Sequence, residues 1–87
     1  MHNYERSSNL QSKLERLSKR NKVLYEQCLK KIEEIINVPD PDHYKNLMHD
    51  LKEYKRVQVG HFVLVFRFDR NSDTIFFEDF DHHDKIY

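Results

Sequence analysis

Apolar positions in the first half of the chain recur at helical spacing. Leu10, Leu14 and Leu17 stand at i, i+4 and i+7, which lines one stripe of an amphipathic helix. Lys13, Glu15, Arg16, Lys19 and Arg20 fill the wet side. Ser8 or Asn9 is the expected N-cap, because a short polar side chain can accept from the first unpaired amides. Asn21 marks a break or a second cap. From 22 to 37 the stripe widens to Leu24, Cys28, Leu29, Ile32, Ile35 and Ile36, broad enough to cover a sheet. Glu26 and Lys30 form an i, i+4 pair in the favourable order. Two prolines in three residues, Pro39 and Pro41, end the helix. With a sheet to cover, the two segments read as a helical hairpin rather than one long helix. Residues 43–52 read as a compact connection, in which Leu47, Met48 and Leu51 share a helical turn at most.

From Tyr54 the period changes to two. Tyr54-Lys55-Arg56-Val57-Gln58-Val59 alternates polar and apolar. His61-Phe62-Val63-Leu64-Val65-Phe66-Arg67-Phe68 is β-branched and aromatic almost throughout, the pattern of a central strand. Gly60, the only glycine, lies between them and supplies a positive φ at a tight reversal. Asp69-Arg70-Asn71-Ser72-Asp73 is a second turn, and Thr74–Phe80 a third strand. Helices followed by short-looped strands predict an α+β fold. The expectation is one domain over residues 1–87, a helical hairpin packed on a small antiparallel sheet of three strands, or four.

Composition narrows the classes. Eighty-seven residues bury only roughly 60–65% of their unfolded surface. No stretch approaches the ~18 apolar residues of a membrane span, and the polar start Met1–Arg6 lacks the apolar core of a secretory signal. A lone Cys28 cannot form an internal disulfide and reads as a small buried hydrophobe, which fits a reducing, cytoplasmic setting. Net charge is zero but unevenly spread. Residues 1–37 carry eight Lys/Arg against five Glu, and residues 38–87 carry seven against ten Asp/Glu. A strongly basic nucleic-acid binder would look different.

The order of elements resembles the RelE/ParE toxins of toxin–antitoxin modules, archaeal RelE-like members in particular. The matching residues are Ile35-Ile36-Asn37-Val38-Pro39, Leu51, the run from Lys55 through Gly60 to Phe66, and the ending His82-His83-Asp84-Lys85-Ile86-Tyr87. The resemblance covers roughly residues 10–87. It implies a cytoplasmic, ribosome-dependent endoribonuclease that cleaves mRNA without a cofactor. It also implies a RelB-like antitoxin that wraps the toxin in a hetero-oligomer, with ribosome and mRNA as further partners and no membrane. The chain departs from the family in three places. Members commonly begin with a β-strand, whereas Met1–Ser8 is polar and looks unable to form a buried one. Positions matching Gln58 and Val63 are often basic in the family. The tail position usually held by Arg is His83.

Cleavage by 2′-OH attack needs a base, cations on the phosphate and an acid for the leaving 5′-oxygen. On the resemblance, Arg56, His83 and Tyr87 are the candidate catalytic residues, and Lys52, Lys55 and Arg67 the candidate RNA or phosphate contacts. The plainer alternatives are a charged outer face and a solvated tail. Arg70 either joins the site or flanks a turn. If the third strand runs on, His82 and His83 point to opposite faces. A metal reading of His82-His83-Asp84 lacks a second ligand cluster. Six phenylalanines are simplest as core, and any left uncovered would suit an antitoxin segment. His2, His43, His49 and His61 show no pattern that recruits them. Three functions fit: an mRNA-cleaving toxin, a ParE-like gyrase inhibitor without nuclease chemistry, or an attenuated fold-mate that only binds an antitoxin.

Overall fold

The computed structural model describes residues 1–46 and 53–86. Lys52 and Tyr87, and the helical turn read over Leu47–Leu51, lie outside the described residues. The elements in chain order are β1 (Asn3–Arg6), α1 (Ser8–Arg20), α2 (Lys22–Asn37), a 3₁₀ turn at Pro41–His43, β2 (Tyr54–Val59), β3 (Phe62–Asp69), β4 (Thr74–His82) and α3 (His83–Ile86). The α+β architecture of two helices on an antiparallel meander is the expected one.

Local chemistry sets the helix boundaries. Ser7, not Ser8 or Asn9, caps α1. Its backbone is extended and its Oγ accepts from the Leu10 amide at 3.0 Å. Asn21 does both things expected of it. Its amide donates to Leu17 O at 2.8 Å, closing α1, and its Oδ1 accepts from the Leu24 amide at 3.2 Å, opening α2. Val38, extended before Pro39, ends α2.

The sheet order is β1-β4-β3-β2. β2, β3 and β4 pair antiparallel. The fourth strand is the N-terminal segment itself, contrary to the expectation drawn from its polarity. β1 runs parallel to β4, Asn3 opposite Thr74 and Arg6 opposite Phe77. All four of its residues are exposed. Backbone pairing needs no apolar side chain, so a polar segment can serve as an edge strand, where polar residues are favoured.

Helices and sheet close over one apolar face. Leu10 and Leu14 of α1, and Leu24, Cys28, Ile32, Ile35 and Ile36 of α2, pack on Val59, Leu64, Phe66, Ile75, Phe77 and Phe80. Burial pushes the Cys28 thiol up to about 12, so it stays protonated and inert. Five of the six phenylalanines join or border this cluster. Phe76 does not. It lies opposite Arg67, on the other face of the sheet. Between Val65 and Phe66 the β3–β4 register slips, so that Asp79 and Phe77 are successive partners and Glu78 is the extra residue of a bulge. The bulge keeps Phe80 and Phe77 facing the helices on either side of it.

Candidate functional site

Strand alternation sorts the chemistry-bearing residues onto the face away from α1 and α2. Leu64 and Phe66 face the helices, so Val63, Val65 and Arg67 face away. Their β2 partners are Gln58, Arg56 and Tyr54. On β4, Phe76 stands beside Arg67, Asp79 beside Val65, and Asp81 beside Val63. Three cross-strand rows result: Tyr54–Arg67–Phe76, Arg56–Val65–Asp79 and Gln58–Val63–Asp81.

The rows bring two candidates together. Arg56 and Arg67 are diagonal neighbours across β2 and β3, a spacing of roughly 7–8 Å. Arg67 stacks its guanidinium over the Phe76 ring, 4.0 Å from the centroid, and donates through Nε to Glu78 Oε1 at 3.2 Å. Arg56 donates through Nε to Asn46 O at 3.0 Å, and its amide donates to Lys45 O. Lys55 is not with them. It pairs with Phe66, on the helix side, where Nζ donates to Asn46 Oδ1 at 2.7 Å and lies 3.9 Å from Asp42. Lys55 and Arg56 are neighbours in sequence, yet they point to opposite faces. Arg70 is held in the turns, where its guanidinium donates to Asp40 and Asp42.

Gln58 and Val63, where the resemblance leads one to expect basic residues, face each other in one row. Val63 and Val65 are only 1% and 5% exposed although they face away from the main helices. α3 packs on β3 and β4, and its Lys85 and Ile86 line a groove of about 370 Å³ with Val65, Tyr54, Glu78, Asp79 and Asn9. α3 thus folds back beside Val65.

β4 stops at His82 and His83 opens α3, so the alternation expected for that pair does not apply. The His83 amide donates to His61 O at 2.9 Å, and its ring is exposed. The rings of His61 and His82 stack with centroids 6.4 Å apart. No local pattern in the chain places His61. The pairing of Phe62 with His82 across the sheet is what brings it here, and that register is not visible along the chain. Among the described residues no group of three His, Cys, Asp or Glu side chains could hold a metal ion.

The face is mixed in charge. Arg56, Arg67 and Lys85 stand among Glu78, Asp79, Asp81 and Asp84. Asp79 and Asp81 are tied from the β4 edge by Lys13 of α1, whose Nζ lies 2.7 and 2.8 Å from them. Lys13 holds the Asp81 carboxyl below its usual range. Burial pulls the Lys13 ammonium down, but its two carboxylate partners outweigh that and raise it. Beside this bridge, Lys13, Arg16, Arg20 and Lys85 surround Leu17, Phe62, Phe80 and Asp81 in a second groove of about 280 Å³.

A two-helix hairpin on this four-stranded sheet is a toxin scaffold of the RelE type. Two solved structures share it. YafQ from Escherichia coli superimposes with a TM-score of 0.68 over 100% of this chain and 99% of that one, at 17% identity. The RelBE2 toxin–antitoxin complex from Mycobacterium tuberculosis contains a chain that matches with a TM-score of 0.62, covering 94% and 98%, also at 17% identity. Sequence gives the closer relation. A Methanocaldococcus jannaschii protein described as "Putative toxin RelE4" is 49% identical over 88 residues, covering 100% of this chain and 92% of that protein. No family model matches the chain. At that identity over its full length, the chain belongs to the RelE toxin family.

Proposed function

We propose that this chain is the toxin of a toxin–antitoxin module and that it cleaves mRNA on the ribosome. The observation that carries the reading is the diagonal pair Arg56 and Arg67 on one polar sheet face, with Arg67 over the Phe76 ring. Two arginines at diagonal positions of one face suit a phosphodiester, which Arg contacts in fork geometry, and an aromatic ring beside Arg67 suits an unstacked base. Arg56 and Arg67 stabilise the charge that develops on the phosphate. His83, at the far end of the face, and Tyr87 at the tail are the proposed proton-transfer groups. The attacking 2′-OH loses its proton and forms a P–O2′ bond, the P–O5′ bond breaks, and the leaving 5′-oxygen gains a proton, which leaves a 2′,3′-cyclic phosphate and a 5′-hydroxyl. Lys52 joins as a phosphate contact, whereas Lys55, on the helix side, is left out.

The partner is a RelB-like antitoxin in a cytoplasmic hetero-oligomer. The groove between α1 and β4 supports it, since an apolar floor of Leu17, Phe62 and Phe80 under Arg16, Arg20 and Lys85 suits an acidic amphipathic segment. A second reading, an attenuated binder without nuclease activity, is favoured by the Arg67–Glu78 pair and by the uncharged Gln58–Val63 row.

Expression with and without the antitoxin, with mRNA 5′ ends mapped on translating ribosomes, tests the proposal. Cuts within codons that vanish in Arg56→Ala, Arg67→Ala or a Tyr87 deletion support it. Growth arrest with intact mRNA and a DNA-damage response points instead to gyrase. Absence of toxicity leaves the attenuated binder.

A further inference from the structure

β1 poses a physical problem. None of its residues is buried, so apolar contact does little to hold it on the sheet. Tyr4, the one large apolar side chain, is 46% exposed and only edges against Phe77. Edge pairing of four residues alone is weak. The strand is instead pinned at its two ends. At one end Ser7 donates its amide to Phe77 O at 2.9 Å and its hydroxyl to Glu78 O at 2.6 Å.

At the other end the pin is His2. Its amide donates to Ile36 O at 3.0 Å. Its ring Nδ1 lies 2.6 Å from Asp73 Oδ1, and its Nε2 lies 2.6 Å from Val38 O. The ring also meets Phe68 edge-on at 5.4 Å. The side chain is only 14% exposed. Asp73 sits in the β3–β4 turn with φ +52, a conformation Asp tolerates better than most, and its carbonyl accepts the Asn3 amide at 3.0 Å. One ring therefore ties the β1 end to the end of α2 and to the β3–β4 turn.

We propose that His2 is a protonation-dependent latch that keeps β1 on the β4 edge. The argument is one of donors and acceptors. A carbonyl oxygen only accepts, and so does an ionised carboxylate. Two such acceptors, one at each ring nitrogen, require two N–H groups, which only the imidazolium has. The neutral ring satisfies one partner and turns a lone pair toward the other. The charged side chain acting on the ring is Asp73 from the turn, which favours the cation. Arg70, over the same Phe68 ring at 5.5 Å, is committed to Asp40 and Asp42. At the end of α2 the Ile36 and Val38 carbonyls accept from His2. The bonds to Asp73 and Val38 raise the ring above its ordinary 6.5. The latch is therefore fully closed below that value. It opens as pH rises through the raised one, leaving the Thr74–Phe77 edge of β4 accessible.

Two readings on the intact, isotope-labelled chain test this. The ring ¹⁵N shifts of His2 report its protonation, and amide exchange of Tyr4, Glu5 and Arg6, corrected for intrinsic rate, reports the strand. The expected result is a doubly protonated His2 at about pH 6, and β1 protection that falls with the ring's own midpoint. The fall is up to roughly tenfold for each unit by which the ring is raised. His2→Gln is expected to have low, pH-independent protection. Asp73→Asn moves the midpoint to lower pH and serves if the first variant does not fold. A His2 ring with one bare nitrogen at about pH 6, or β1 protection that stays flat across the titration, overturns the latch. So does an unchanged midpoint in Asp73→Asn.

Discussion

The two faces of the sheet are made by the same strands and obey different physics. On the helix side, Phe62, Leu64, Phe66, Phe68, Ile75, Phe77 and Phe80 of β3 and β4 join or border one apolar cluster with the leucines and isoleucines of α1 and α2. On the other side charged and polar residues alternate with Val63, Val65 and Phe76 and are joined by part-exposed pairs such as Arg67–Glu78. Among the described residues Val63, Val65 and Thr74 are buried there. The first face carries most of the folding free energy, because apolar burial contributes about 25 cal/mol per Å² and exposed ion pairs about 0–1 kcal/mol. The second face is free to carry ligand contacts at little cost to stability.

Substitutions can break that contrast, and the largest effect belongs on the helix side. Phe66→Ala removes a fully buried ring and is expected to cost about 3–5 kcal/mol. Total stability for a chain of this length is about 4–13 kcal/mol, so the urea midpoint followed by circular dichroism should drop steeply. A loss below about 1 kcal/mol would show that the apolar face is not the main support. Lys13→Met comes next, at about 1–2 kcal/mol near neutral pH, since its two carboxylate partners are half-buried. Asp81 is held below its ordinary 3.8 by Lys13. A depressed carboxyl stabilises the fold above 3.8, and that contribution is lost as pH falls through the folded value. The gap between Lys13→Met and the parent should therefore close below pH 3.8, as denaturation curves on either side will reveal.

Gly60→Ala isolates the turn from both faces. An added Cβ meets nothing within 4 Å, but φ is +62, so the cost is backbone strain alone, about 1–2 kcal/mol. Gly60→Asn, which tolerates that conformation better, should recover part of it in the same urea assay. Arg67→Ala on the polar face is the smallest, at most about 1 kcal/mol, because Arg67 is more than a third exposed and its pair with Glu78 is screened by water. A thermal shift as large as that of Lys13→Met would mean the polar face is structural after all.

Much of this was legible along the chain. α2 spans the predicted 22–37, β2 the predicted 54–59, and Gly60 turns with positive φ where a reversal was expected. These follow from short-range rules, the repeat of apolar residues and the stop at Pro39. The Lys55-Arg56 cluster was separable in principle. A period of two puts adjacent residues on opposite faces, and the helix-facing Val57 and Val59 already assign Lys55 to their side.

What the sequence determined by itself is the class of each segment and the amphipathic faces that must meet, because both are written in spacings of two to four residues. Tertiary structure alone decided three things. It made a strand of polar Asn3–Arg6, since β1 exists only through backbone pairing with residues some seventy positions away and through the pins at His2 and Ser7. It set Arg67 against Phe76 and Glu78, through a register that slips at a bulge. It brought His61 beside His82 and folded α3 back beside Val65. Each depends on long-range pairing, whose partners share no periodicity that a local pattern can reveal.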